Sequence, residues 1–465
     1  MDRSRNRKLL VSVFGPQEAR EAVLGGARIV DSEDPRSALG NIKPQRIMDV
    51  SDAVLAAKRD LDVQLSTNIG EDQLLYRRSE NGQAIQKSPY EIAGKASQAA
   101  LGVANAMGVR VHPSNIVKVG VDGMNVELVS EVLTEVALTL KRTEEFSHCQ
   151  VMGVLFAQDL DLWNKRKTND DVRKNLIELR EFHPASDDTS NAFDLAADGG
   201  KWVINTVRDQ TGKILFLPGD TVDLYALHEK GVLPDDAHTP WVALNELFPH
   251  STYYPTATKG PRTNKEVIKL MVDAAAGAGA TSMMLDTQIQ TKVANICLID
   301  TGSSPEFVDL NQYDVGTGGL PTKGILTLDE LRFFVEYAHF SGIEANLAGS
   351  LQSFQAQQVW VLIPQLDQVS TRGGSSAVEL DPHTGKPAGE DTRQQRIIKR
   401  LLVAGLVAPE QGGVLNIPEA MKNNPDAVAA VKNLVAVIQA KRTEQSLPAL
   451  QVFWVDKFGN AEVIR

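Results

Sequence analysis

Cysteine is almost absent from this chain of 465 residues: there are two, Cys149 and Cys297. They form no metal or redox motif and no disulfide framework, so a reducing cytoplasm is the expected location. The eight histidines are as uninformative. His112, His148, His250 and His383 show no ligand spacing, and no metal site is expected from them. Basic residues are the minority, 48 Lys and Arg against 59 Asp and Glu, for a net charge of -11. With no basic, aromatic-interleaved run, this argues against a general nucleic-acid binder. Small anionic substrates stay open, because local lysines and arginines matter more than the total. Long apolar runs are missing too. After the basic start MDRSRNRK the run LLVSVF stops at Gly15-Pro16, too short for a signal or a membrane span, and nothing later reaches spanning length. No internal repeat at a fixed period is visible.

What is present is a globular composition, 42% hydrophobic and 23% charged, enough for a sizeable core in one large domain with inserts or in two to three domains. Strand-like runs recur at 9–14, 27–31, 62–66, 115–121, 149–156, 281–287, 342–350 and 367–371. Helical patterns separate most of them, at 17–24, 45–59, 91–107, 126–140, 264–276, 327–340 and through the 350s. Thr327 with Glu330 reads as a capping box. Eight strands alternating with helices predict a parallel sheet closed into a (β/α)8 TIM barrel. The rhythm breaks over 158–260, where a hairpin is expected in WVINTVRDQTGKILFL with its turn at 209–212, and again over about 293–323. Residues 390–406 read as a terminal helix and 425–441 as a packing helix or an oligomer contact. The expected organisation is a first barrel part at 8–157, an insertion after strand 5 at 158–260, a second barrel part at 261–408 with the smaller insert after strand 6, and a C-terminal extension at 409–465.

Chemistry is expected where strands end, at the carboxyl rim of the barrel. Ile29-Val30 runs into Asp31, Glu33 and Asp34 before Pro35 stops the strand; this is either a solvated acidic turn or part of a site. Lys118, flanked by Val117 and Val119, is costly to bury. It is either an amine of depressed pKa for Schiff-base or proton-transfer work, or the partner of a barrel carboxylate. Asp286 ends its strand as Asp31 does, and the two can surround one substrate with Lys118 or simply cap loops. After the last two strands come Gly349-Ser350 and Arg372-Gly373-Gly374. They read as phosphate-binding loops, with Arg372 adding charge, or as plain turns.

The segments LLVSVFGPQEAREAVLGGARIVDSEDPRSALG, NIVKVGV, AGAGATSMMLDT and LAGS, with the Arg372-Gly373 strand end, resemble in order the (5-formylfuran-3-yl)methyl phosphate synthase family, also called 4-(hydroxymethyl)-2-furancarboxaldehyde-phosphate synthase. The resemblance covers about half of the chain and implies a (β/α)8 barrel. Its reaction joins two glyceraldehyde 3-phosphates into a furan phosphate, a methanofuran precursor of C1 metabolism, by enolisation, aldol joining, phosphate loss and dehydrative ring closure without a metal or redox cofactor. It places the family's strand-two aspartate on Asp31, its strand-four lysine on Lys118 and its strand-six aspartate on Asp286. Two family lysines do not carry over, since Glu33 and Gln290 stand in their places; Lys292 and Lys43 lie nearby. The first is the lysine expected to form the imine, and a glutamate cannot. The expected function is therefore an enlarged, divergent lyase of this family acting on a phosphorylated aldehyde, with Glu33 as base if the reaction is imine-free. The alternative is a non-catalytic barrel serving other enzymes of the pathway. Neither a membrane nor a nucleic acid is expected as a partner; a homo-oligomer or a pathway enzyme is.

Overall fold

The computed structural model describes residues 7–35, 42–70, 76–78, 84–86, 88–121, 124, 126–157, 193–198, 201–208, 214–216, 263–287, 296–300, 302, 304–313, 323–349, 351–389 and 395–464. Eight strands are all parallel and close on themselves: β1 (Lys8–Val13), β2 (Ile29–Ser32), β3 (Gln64–Asn68), β4 (Ile116–Gly120), β5 (Gln150–Phe156), β6 (Ser282–Asp286), β7 (Glu344–Leu347) and β8 (Gln368–Thr371). β8 returns to β1 through the pairs Lys8↔Gln368 to Val11↔Thr371. The expected (β/α)8 barrel is the observed fold.

A helix follows each strand: α1 (Pro16–Gly25), α2 (Pro44–Lys58), α3 (Pro89–Met107), α4 (Val126–Arg142), α5 (Asn264–Gly277), α6 (Leu328–Phe340), α7 (Ser353–Leu362) and the short α8 (Arg400–Ala404). Three begin with the same local chemistry. Ser88 with Glu91, Thr263 with Glu266 and Thr327 with Glu330 each form a reciprocal capping box that satisfies two orphan N–H groups. Proline at the first turn of α1, α2 and α3 fixes φ where no donor is needed.

Side chains alternate along each strand, so every second residue enters the barrel. Leu10, Ile29, Ile116, Met152, Val154, Phe156, Met284 and Ala348 fill the interior. The other face packs on the helices in one large apolar layer that includes Leu9, Val11, Val30, Leu65, Val117, Val119, Leu285 and Val369. At the amino end the interior turns polar: Lys8 Nζ donates to Gln64 (2.9 Å), Gln64 to Gln150 (3.0 Å) and Gln368 to Glu344 (2.6 Å).

The interruptions fall where the rhythm of the sequence broke. Of the segment after β5, Lys201–Arg208 pairs antiparallel with Ile214–Phe216, the expected hairpin, and with Phe193–Asp198 on its other side. The expected turn at 209–212 lies outside the described residues. After β6, Ile296–Ile299 pairs parallel with Lys323–Leu326. The helix expected over 390–406 is corrected: Arg396–Ile398 is a strand antiparallel to Ser376–Val378, and only α8 is helical. This strand's pairing partner lies some twenty residues upstream, and tertiary pairing overrides its local helix preference.

The extension folds as the sheet Val414–Pro418, Gln451–Val455 and Ala461–Val463 with helix α9 (Pro425–Glu444). Its core of Leu415, Ile417, Val431, Leu434, Ile438 and Trp454 closes over Phe354 and Val361 of α7. Helix α7 is consequently buried all round, and its polar residues are used as staples. Gln357 Nε2 donates to the carbonyls of Gly405 (3.1 Å) and Val407 (2.8 Å), and Ser353 Oγ to that of Gly405 (2.6 Å). Replacing Gln357 by Leu should leave the Val407 carbonyl without its donor and the Gly405 carbonyl with Ser353 alone, and cost about 1–3 kcal/mol, to be read as a lower denaturant midpoint with unchanged slope.

Candidate active site

Four side chains from three strands converge at the carboxyl end of the barrel. Asp31 and Glu33, two residues apart, share the inward face at the end of β2. Lys118 enters from β4, on the far side of β3. Neighbouring strands are about 4.8 Å apart, so only a long side chain crosses β3 to reach β2, and lysine does. Its Nζ lies 2.6 Å from Asp31 Oδ2 and 3.0 Å from Glu33 Oε2. Lys118, Asp31 and Glu33 are 2%, 0% and 3% exposed. Ser12 of β1 completes the group, its Oγ donating to Asp31 Oδ2 at 3.0 Å and standing 3.4 Å from Glu33 Oε2. The register explains the meeting, since Ser12 is level with Asp31, and Asp31 with Ser66 on β3.

The electrostatics decide between the two roles open to Lys118. Burial by itself would lower its pKa, but the charges and hydrogen bonds of Asp31 and Glu33 outweigh that and raise it well above its ordinary value. The resting side chain is an ammonium ion. For Asp31, burial would raise the pKa; the Lys118 charge and the hydrogen bond from its ammonium outweigh this and lower it. Of the two readings open to Lys118, the geometry fits the partner of barrel carboxylates, here two of them.

Asp286 ends β6, is buried, and its Oδ1 accepts the Thr287 N–H at 2.7 Å. The carboxylates paired with Lys118 are Asp31 and Glu33; Asp286 closes β6 at the same end of the barrel. Lys43 is exposed at the N-cap of α2, whereas Gln290, Lys292 and Ser350 lie outside the described residues. Among those residues no cluster of three His, Cys, Asp or Glu is grouped to hold a metal ion, and no helix is long and apolar enough to cross a membrane.

Arg372, expected to add charge for a phosphate, is engaged by protein groups in this structure. Its guanidinium grips both carboxylate oxygens of Glu18 at 3.0 Å and donates to the carbonyls of Ser12 (3.1 Å) and Arg396 (3.0 Å). Behind it, the amide of Gly374 donates to Thr371 Oγ1 and that of Ser375 to the Arg372 carbonyl. A Cβ on Gly374 would meet the Leu351 carbonyl oxygen at 2.3 Å, and Gly349, at φ +94°, faces the Thr287 side chain. Gly373 alone of the three borders open space. Sequence reasoning missed Ser12 and Glu18; the one signal for Ser12 was a hydroxyl interrupting the apolar run LLVSVF.

Removing Lys118 (Lys118→Met) should strand two buried carboxylates and cost about 3–5 kcal/mol at neutral pH. Asp31 has its pKa lowered on folding, so its contribution is present above its ordinary value near 3.8 and is lost as pH falls through the folded value. Lys118 has its pKa raised, so its contribution is complete below its ordinary value near 10.5 and is lost as pH climbs through the folded value. Denaturant titrations across pH should therefore show the deficit of the variant at full size between these limits and shrinking in acid.

Residues 9–177 match the model of a family described as 4-HFC-P synthase. No curated protein matches the chain. Among solved structures, an aldolase named QR15 is 12% identical, with 80% of this chain and 93% of that chain covered and a TM-score of 0.31. Phosphoribosyl anthranilate isomerase from Thermus thermophilus is 9% identical, with 86% and 96% covered and a TM-score of 0.31. At these scores the two carry no argument about function.

Proposed function

We propose that this chain, whose residues 9–177 match the 4-HFC-P synthase family model, is a lyase that joins two phosphorylated trioses, glyceraldehyde 3-phosphate in the first instance, into a furan phosphate without a lysine imine at its centre. The observation that carries the reading is the Lys118 ammonium held between Asp31 and Glu33 at the catalytic end of the barrel. Removing a proton from the carbon beside a carbonyl needs a base at that carbon and a positive charge at the oxygen. A carboxylate of the pair takes the proton, the electrons move onto the carbonyl oxygen, and Lys118 stabilises the enediolate. In one triose the enediolate expels its phosphate and leaves an enol of the three-carbon keto-aldehyde; in the other the enediolate is reprotonated at C1 to give the ketone. The CH2 carbon of the enol bonds that ketone carbon and the new alkoxide takes a proton; the C1 hydroxyl then closes on the remaining ketone, and loss of two waters leaves the furan with its aldehyde. No electrons are gained or lost overall.

Glu33 fits this role better than the family's lysine would. Beside Lys118 a second ammonium would be repelled, whereas a carboxylate two residues from Asp31 pairs with the same cation. Asp286 serves as a further proton carrier at the rim, and the loops at Gly349 and Gly373 border the phosphates.

The test is incubation with glyceraldehyde 3-phosphate, borohydride trapping and peptide mass mapping, with furan aldehyde and free phosphate assayed in the same mixture. The expected result is furan and phosphate with no adduct on Lys118, and a loss of about 100-fold or more in kcat for Glu33→Gln. An adduct on Lys118, or on Lys43 or Lys292, with product formed would replace the imine-free reading by a relocated imine. Neither product nor adduct from folded protein would overturn the synthase reading and favour a partner protein of the pathway.

A further inference from the structure

Lys118 and the two carboxylates are only part of the group; the hydroxyl of Ser12 lies against the same two oxygens that the ammonium holds. A serine has one proton to donate, and here it goes to Asp31 Oδ2, the shorter of the two contacts. Asp31 Oδ2 therefore takes two donors, one from the adjacent β1 and one from β4 across β3, which fixes the carboxylate from both sides.

The serine is itself held. Its carbonyl accepts from Arg372 Nη1, whose guanidinium is bidentate on Glu18. Glu18 also accepts the N–H groups of Phe14 (2.6 Å) and Ile398 (3.2 Å). The Glu18–Arg372 pair thus ties the end of β1, the end of β8 and the strand Arg396–Ile398 into one buried frame, with side chains 12% and 2% exposed. Arg372 is linked to the Lys118 group through the Ser12 backbone carbonyl.

We propose that Ser12 is a positioning residue of this site, fixed by the Glu18–Arg372 clamp, and that its hydroxyl holds the Asp31 carboxylate on the Lys118 ammonium. The proposal rests on reading the Lys118 group as the acid–base centre. The charged groups around Asp31 are Glu33 on its own strand and Lys118 on β4. β1 and β3 contribute the hydroxyls of Ser12 and Ser66, while Asp34, Asp286, Glu18 and Arg372 complete the rim. In this setting a lost hydrogen bond to a carboxylate is read directly as a change in its titration.

The experiment is a carbon-13 NMR titration of carboxyl-labelled aspartate in the full chain, with Asp31 assigned through Asp31→Asn, for wild type, Ser12→Ala, Arg372→Lys and the double variant. Ser12→Ala should move the Asp31 midpoint upward by about one to two pH units. Arg372→Lys should move it the same way by less, and the double variant no further than Ser12→Ala alone, because both act on one bond. Ser12→Cys keeps the shape with a weak donor; it should give a smaller upward shift and serves if Ser12→Ala does not fold. An unmoved midpoint in the serine variants overturns the role of Ser12, and additive shifts in the double variant overturn its link to the clamp. None of these readouts needs turnover, so a failure here is distinct from a failure of the synthase reading. Where turnover is measured, a positioning role lowers kcat with KM kept, whereas a phosphate-binding Arg372 would raise KM in Arg372→Lys and overturn the proposal.

Discussion

An ammonium ion sealed inside a barrel has to be neutralised where it stands, because the cost of taking it out of water is many times what a single hydrogen bond returns. That constraint organises the upper half of this molecule. Lys118 sits on β4, and its neutralising carboxylates sit on β2 and just after it, so β3 between them can present nothing bulky at that level. It presents Ser66, level with Asp31. Closure of the sheet is equally necessary, since Arg372 at the end of β8 reaches Ser12 only because β8 pairs with β1. A buried ion pair of this kind is a weak source of stability compared with well-packed apolar residues. Its place at the carboxyl end of the barrel, beside apolar side chains such as Met152, therefore calls for a reason other than stability.

The two ends of the barrel divide the work. At the carboxyl end the charged group and the glycine turns gather, and the insertions after β5 and β6 leave from the same end. At the amino end, Arg7 just before β1 makes a bidentate pair with Glu410 and donates to the Trp360 carbonyl, locking the start of β1 to α7 and to the beginning of the extension. Sequence enlargement on one rim and structural locking on the other let the centre hold its geometry inside a chain with large insertions.

The strands and their carboxyl-end acids were legible because period-two alternation and β-branched runs are local signals. Lys118 stood out for the same reason, a charge inside an apolar strand. Its state was not legible: an amine of low pKa and an ammonium in an ion pair have the same sequence, and only the positions of Asp31 and Glu33, brought against it from 87 and 85 residues upstream, separate them. Arg372 was read as a free charge because its partner Glu18 is 354 residues away. Ser12 was invisible because a serine in a strand is ordinary until the register places it beside an aspartate. The strand Arg396–Ile398 was read as helix, since its pairing with Ser376–Val378 is a tertiary fact.

Helix α7 belongs to two cores at once. Ala356, Val359 and Trp360 pack into the barrel layer, while Phe354 and Val361 pack under the sheet and helix of residues 414–463. A helix in an ordinary barrel has a wet side, and this one has none. The tail is therefore not a module bolted onto a finished barrel: cutting it away would turn an inside surface into an outside one, and a minimal version of this protein could not be made by trimming to the length of a bare barrel without rewriting α7 for water.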